Sequence, residues 1–424
     1  MLTTASPRIE RQTFLDWYAR NRARTAQLFG LVEPASYTAR PIPLRHPIVF
    51  YEGHIPAFSY ITLNRRGLGA APLDEALEQL FERGIDPADA TAAQAHTKAA
   101  WPARAAVLAF GRRCDAAVIA ALQSAQLDQP QNRRLVSAQS VYTMLEHEQM
   151  HHETLLYILH RLPYDQKIVP RDLPPHVDRG VPPYRRIAIA AGKATFGAER
   201  SEIPFGWDNE FERTQVDVAA FEIDEHDVTN AQYLEFVNAG GCVPPFWVER
   251  DGKWKLATLF AEIDLPRSWP VYTTHVQATA YAEWKGLRLP SEAEYHRAAF
   301  GSPDGAERSF PWGEETPHAA RHGNFDFAQW DPVPVGSYPA GASAWGVHDM
   351  VGNGWEWTST PFAPLPGFAP MASYLPYSSD FFDNQHYVAK GASPVTAREL
   401  VRRSLRNWYR PNYPYVYATF RCAL

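Results

Sequence analysis

Long hydrophobic runs are missing from this sequence. Residues 116–122, seven in number, are all apolar and fall far short of the ~18 needed to cross a bilayer. Residues 1–14 lack the apolar core of a secretory signal. Cysteine is scarce. Cys114, Cys242 and Cys422 are the only three, too few for a disulfide framework, so a reducing, cytoplasmic setting is expected. Positive charge is in deficit as well, with 41 Lys and Arg against 47 Asp and Glu and a net charge of −6. No basic field therefore points to nucleic acid or to an anionic membrane as partner. Neither internal repeats nor low-complexity tracts occur.

What remains is ordinary for a folded chain: 424 residues, 45% hydrophobic and 21% charged, enough for two or three domains. Two figures stand out. There are 36 prolines and 13 tryptophans, most of the latter beyond residue 200. The second half should thus be loop-rich and ordered by aromatic packing, since disordered chains are poor in aromatics.

The halves have different patterning. Residues 9–29, 73–83, 101–122 and 132–162 repeat apolar residues every three or four positions, which predicts helices and an antiparallel four-helix bundle over 1–165. Six prolines between 163 and 183 then mark a linker, 166–184. From 185 to 424 short strand-like runs (186–190, 215–221) alternate with turns at 240–241 and 251–252. Helices are expected over 230–238, after a Thr229 cap, and over 275–285. Beyond Gly286 mostly loop is expected. The fold class is α+β.

The most informative segment is 141–159, VYTMLEHEQMHHETLLYIL. On a helix His147 and His151 project from one face, in line with Met144, Leu155 and Ile158. Two imidazoles on an apolar stripe each need a buried partner, and one divalent cation satisfies both. His152 faces another way and is expected to be solvated, and His160 lies near the helix end. A third ligand is available in His54, within the apolar segment 50–60, approached through the proline-set stretch 40–47. Three imidazoles with open positions suit non-haem iron or a catalytic zinc. The string 147–151 also fits H-E-x-x-H, with Glu148 as general base, so a zinc metallohydrolase is the alternative. A third class is a binding module with the bundle as spacer.

In the second half RLPSEAEYHRAA (288–299), FPWG (310–313), VGSYP (335–339), GVHDMVGNGWEW (346–357), KGAS (390–393) and FRCA (420–423) follow in order. Together they resemble the formylglycine-generating-enzyme-like domain, a variant of the C-type lectin fold. Cys242 and Cys422 do not look like that enzyme's copper-binding pair. Joined to a DinB-like bundle with H-x-x-x-H-x-E (His147, His151, Glu153) and Gly53–His54, the chain resembles the ergothioneine-biosynthetic sulfoxide synthases, the hercynine oxygenase family. The resemblance implies iron(II) on His54, His147 and His151. It also implies O2 as co-substrate, coupling of a thiol to Nα-trimethylhistidine, and a C-terminal domain that completes the active site. A structural Ca2+ in that domain is left open.

The family's Asn-Trp pair, which contributes to the trimethylhistidine pocket, falls on Asn407 and Trp408. Aromatic faces suit a quaternary ammonium. Family members that take gamma-glutamylcysteine have an Asp next and an Arg four positions later; here these are Tyr409 and Tyr413. That bulkier, less charged surface predicts cysteine as sulfur donor, with gamma-glutamylcysteine as the alternative. Met150 stands where the family often has Gln. The hydroxyl donor is expected among Tyr377, Tyr409 and Tyr413, with Tyr374 in the same loop as Tyr377. Arg410, with Arg403 and Arg406, is a candidate for substrate carboxylates. Glu153 is expected to orient a neighbour, and Tyr415 and Tyr417 to be structural.

Overall fold

A computed structural model of the protein describes residues 10–82 and 101–424. It divides into two compact units, Met1–Pro170 with Ala372–Tyr374, and Arg171–Met371 with Leu375–Leu424.

The first unit is helical. Helix α1 (Arg11–Phe29) buries Phe14, Trp17, Tyr18, Asn21, Thr25 and Leu28, a stripe at helical spacing. Helix α2 (Ile48–Tyr60) has every residue buried and Pro56 inside it. A helix enclosed on all sides has no polar face, so it leaves no rhythm in the sequence. The apolar segment 50–60 around His54 is therefore buried, and it is helical, which its sequence did not signal. The chain continues into a π-helical stretch, Ile61–Gly67. Helix α3 (Glu75–Phe81) starts on Asp74, whose carboxylate accepts the Leu77 N–H at 3.1 Å. Residue 83 of the helix expected there lies outside the described residues. Helices α4 (Arg104–Ser124) and α5 (Gln139–His160) follow. α5 begins later than expected because Ser137 and Ala138 take φ values of 53° and 54°, which no regular helix accommodates. α2 packs on α4 and α5, and α1 packs on α5 and α4.

The second unit consists of short strands and three helices with capped starts. β1 (Arg186–Ile189), β2 (Gly192–Phe196), β3 (Thr214–Val218) and β4 (Phe221–Asp224) pair antiparallel as β1 with β4 and β2 with β3. The run expected over 215–221 is thus divided between two strands. α6 (Asn230–Asn238) starts on the reciprocal Thr229–Gln232 cap. β5 (Trp247–Arg250), β6 (Lys253–Ala257) and β7 (Glu262–Asp264) form a meander. It turns at Asp251 and Gly252, both at positive φ. α7 (His275–Trp284) starts on a Thr274–Gln277 cap, and α8 (Glu292–Phe300) on a Ser291–Glu294 cap. α8 is the one α-helix in the stretch beyond Gly286, which is otherwise mostly loop as expected. Its Tyr295, Ala298 and Ala299 pack in one core with Ile189, Ala194, Val218 and Ile223.

The last sheet comprises β8 (Gly354–Pro361), β9 (Tyr387–Ala392), β10 (Asn407–Tyr409) and β11 (Ala418–Thr419), in the order β10-β9-β8-β11 with β11 parallel to β8. Arg421 locks the chain's end beneath it. The guanidinium is fully buried and reaches Glu356 at 2.6 Å and Asp227 at 3.0 Å. The fold is mixed α+β, helical first and sheet-containing second. Among the described residues no helix is long and apolar enough to cross a membrane.

Candidate functional site

Three imidazoles converge inside the first unit. His147 and His151 lie one turn apart on α5, and His54 comes from α2. The Nε2 atoms of His54 and His151 are 3.2 Å apart, and those of His151 and His147 are 3.1 Å apart. All three ligand atoms fall within 4.8 Å of one another. His54 Nδ1 donates to the Phe81 carbonyl at 2.6 Å, which fixes the tautomer and turns the Nε2 lone pair toward the other rings. Gly53 makes this possible, since a Cβ there would lie 2.4 Å from the Phe81 ring. Phe58 lies flat on His147 (centroids 3.5 Å, 11°), and Phe50 stacks on His54 (4.9 Å, 16°).

Burial pushes the His54 pKa down to about 4, against the opposing bond to Phe81. Burial first, then the crowding of the imidazoles against protonating together, also holds His147 and His151 well below the usual imidazole range, with Arg45 adding to this at His151. The three are therefore neutral donors at pH 7. The Nδ1 atoms of His147 and His151 find no hydrogen-bond partner among the described residues. Three neutral nitrogens directed at one point fit a single divalent ion far better than a hydrogen-bond network.

The acid of H-E-x-x-H points elsewhere. Glu148 is fully buried, and its Oε1 accepts from Arg22 at 2.7 Å and Thr25 at 2.5 Å, on the α1 side of α5. Its Oε1 is thus engaged in an ion pair with α1 rather than with the triad. His152 belongs to the same network: it is 2% exposed, with Nε2 2.8 Å from Thr25 Oγ1. The expectation of a solvated His152 is therefore corrected. α5 is covered by α1 as well as by α2, so a second face is buried. Glu153 accepts the Tyr157 hydroxyl one turn along, and His160 is the last residue of α5.

Tyr374 belongs to the first unit through the segment Ala372–Tyr374. Its ring is 6.1 Å from His147 and 5.3 Å from Phe58. The adjacent Ser373 Oγ is 2.9 Å from Thr143 Oγ1 of α5. Tyr377, three residues on, is buried in the second unit, flat on Trp207 (4.0 Å, 23°) and edge-on to Trp408 (5.4 Å, 79°).

Asn407, Trp408 and Tyr409 form β10, with Asn407 opposite Ala389, Trp408 opposite Val388 and Tyr409 opposite Tyr387. Trp408 lies flat on Phe362 (4.2 Å, 7°). Tyr413 stacks parallel to Tyr409 at 6.2 Å, and Arg410 is exposed. Arg406 is taken up by the fold: it forks onto Glu292 at 2.9 and 3.1 Å and donates to the Ala363 carbonyl. Arg403 reaches Glu307 at 3.4 Å. Buried Lys390 donates to the carbonyls of Arg403 and Leu405, and burial lowers its pKa to about 8. Tyr417 is buried flat against Tyr272 (5.6 Å, 22°), and Tyr415 stands edge-on to Tyr413 (5.0 Å). Cys422 is buried while Cys242 is exposed.

Sequence reading missed a turn that supports this region. In Asp208–Glu210 the Asp208 carboxylate accepts from Ser378 Oγ, and Asn209 Nδ2 donates to the same hydroxyl at 2.9 Å. Glu210, fully buried, accepts from Arg402 at 2.5 and 2.7 Å and from Ser404 at 2.6 Å. A short irregular turn has no periodicity that would have signalled it.

Residues 18–155 match the DinB superfamily model, and residues 173–424 match that of the sulfatase-modifying factor enzyme 1-like domain. A hercynine oxygenase of Mycolicibacterium thermoresistibile is 33% identical over 95% of this chain and 92% of its own length. Its counterpart in Mycobacterium tuberculosis is 32% identical over 96% and 97%. Ergothioneine biosynthesis protein 1 of Neurospora crassa is 26% identical over 90% of this chain and 54% of its own. With near-complete coverage in both directions, in a chain that unites the two domain types with a buried three-histidine cluster, one assignment follows: the chain belongs to the hercynine oxygenase family.

Proposed function

We propose that the protein is a cytoplasmic, iron(II)- and O2-dependent sulfoxide synthase that joins the sulfur of cysteine to the imidazole ring of Nα-trimethylhistidine in ergothioneine biosynthesis. The observation that carries this reading is the all-imidazole triad of His54, His147 and His151, within 4.8 Å and with Glu148 turned away to Arg22. Three neutral ligands leave a bound ion its full charge and open positions, and iron(II) would supply the O2-dependent redox chemistry that zinc lacks. The same geometry argues against the metallohydrolase alternative, which needs Glu148 as base.

The protein's own part is to bind, orient and supply a proton. His54 is held by the Phe81 carbonyl, so the ligand set is organised before metal arrives. Among the tyrosines, Tyr374 is the best supported hydroxyl donor, because its ring stands 6.1 Å from His147. Tyr377 instead belongs with Trp207 and Trp408 as an aromatic wall. Asn407 and Trp408 hold trimethylhistidine, the indole face suiting the quaternary ammonium. Tyr409 and Tyr413 in place of an acid and an arginine favour cysteine, since a buried carboxylate without its cation binds poorly.

The test uses full-length protein purified without oxygen, loaded with iron(II) and given O2, trimethylhistidine and cysteine, with the sulfoxide product followed by mass spectrometry. A retained equivalent of zinc with no response to iron(II) would overturn the reading. A kcat/KM preference for gamma-glutamylcysteine would overturn only the choice of thiol.

A further inference from the structure

Asn407 and Tyr409 are two residues apart on β10 and so share one side of the strand, with Trp408 on the other. On the shared side Asn407 Nδ2 donates to Tyr409 Oη at 2.8 Å. Asn407 Oδ1 accepts the Trp408 backbone N–H at 2.9 Å. A primary amide has two N–H donors on nitrogen and two lone pairs on oxygen. These bonds engage both ends of the amide and set its rotation, with donor and acceptor capacity to spare. The Tyr409 ring is itself fixed, edge-on to Trp357 (6.0 Å, 78°) and parallel to Tyr413 (6.2 Å, 8°). Trp357 is fully buried, and its Nε1 donates to the Thr273 carbonyl at 3.0 Å. Below the strand, the fork of Arg406 on Glu292 anchors the backbone that carries Asn407.

We infer that Tyr409 is a positioning residue for the amino-acid substrate: with the Trp408 N–H claiming the Asn407 carbonyl oxygen, the Tyr409 hydroxyl holds the amide nitrogen on the side that meets a carboxylate. This rests on the proposed role of Asn407 and Trp408 in holding trimethylhistidine. A zwitterion with a quaternary ammonium offers its carboxylate as its main hydrogen-bonding group, and that group needs an N–H donor. A flipped amide would present a carbonyl oxygen to it and repel it. Tyr409 thereby governs affinity for trimethylhistidine.

Tyr409→Phe removes the hydroxyl and keeps both ring contacts. Trimethylhistidine binding is measured by calorimetry on the full chain, loaded with iron(II) and kept without oxygen, and KM is measured for both substrates. The expected result is a Kd and KM for trimethylhistidine raised about five- to tenfold, the scale of one lost hydrogen bond, with the thiol KM moved less than about twofold. In an Asn407→Ala background the same change adds nothing further, because the group it orients is gone. The inference is overturned if the thiol KM rises while trimethylhistidine binding is unchanged, or if the two substitutions give independent, additive losses. If the wild-type chain neither binds nor converts trimethylhistidine, the functional reading fails along with it; wild-type binding with an unaffected Tyr409→Phe variant overturns this inference alone.

Discussion

The two units fix their proposed functional residues by opposite means. In the first, the three histidines stand on long helices, and packing does the work: Phe58 and Phe50 cover the rings, and one carbonyl holds one Nδ1. In the second, Asn407 and Trp408 lie on a three-residue strand, too short to hold itself. Buried ion pairs replace helical regularity there, with Arg406 on Glu292 and Arg402 on Glu210. A helix carries its geometry in its own hydrogen bonds, whereas a loop must take it from side chains anchored elsewhere. The two kinds of support should fail differently.

The largest effect is expected at the triad. His54→Ala, His147→Ala and His151→Ala should each abolish iron binding and turnover, read by metal analysis and product formation, while the helices persist by circular dichroism. In the second unit the order reverses. Arg406→Met strands a buried Glu292 carboxylate and should cost about 3–5 kcal/mol in denaturant unfolding, with metal content unchanged. A smaller loss tests the side of α5 away from the triad: His152→Ala should lower stability by about 1–3 kcal/mol, through the lost hydrogen bond to Thr25 and the space left where the buried ring stood, yet leave one equivalent of iron bound. Loss of iron in that variant would show that the two faces of α5 are not separable.

The mildest test is pH. Burial lowers the His275 pKa to about 4, although its Nε2 is bonded to the Thr358 carbonyl. Folded His275 stays neutral while the unfolded chain takes up a proton below about 6.5, so stability declines as pH falls from 6.5 toward 4. Between pH 6.5 and 5.5 this is at most about 1.4 kcal/mol per proton. His275→Gln should flatten that part of the slope in urea titrations.

The comparison also explains what could be read from the chain. His147 and His151 were legible because i,i+4 spacing on α5 interrupts an apolar stripe. His54 was found as a residue but not as part of a helix, since all of α2 is buried and periodicity needs a wet face. The same cause hid His152: a helix buried on two sides makes a polar residue look outward when it faces a second neighbour. α8 carried its signal openly in Ser291 and Glu294, a capping pair masked by the Gly- and Pro-rich stretch that follows. Tyr374 and Tyr377 could not be told apart, because no period relates residues in an irregular loop. The Asn407–Trp408 pair came from resemblance alone, as nothing in its spacing distinguishes it from core.

The turn Asp208–Glu210 holds Ser378 with one end and Arg402 and Ser404 with the other. It therefore supports both the loop that carries Tyr377 and the approach to Asn407. Two stretches about 25 residues apart in sequence thus cannot vary independently. Replacing either stretch without the turn would strand a buried carboxylate, so the three discontinuous segments behave as one structural unit.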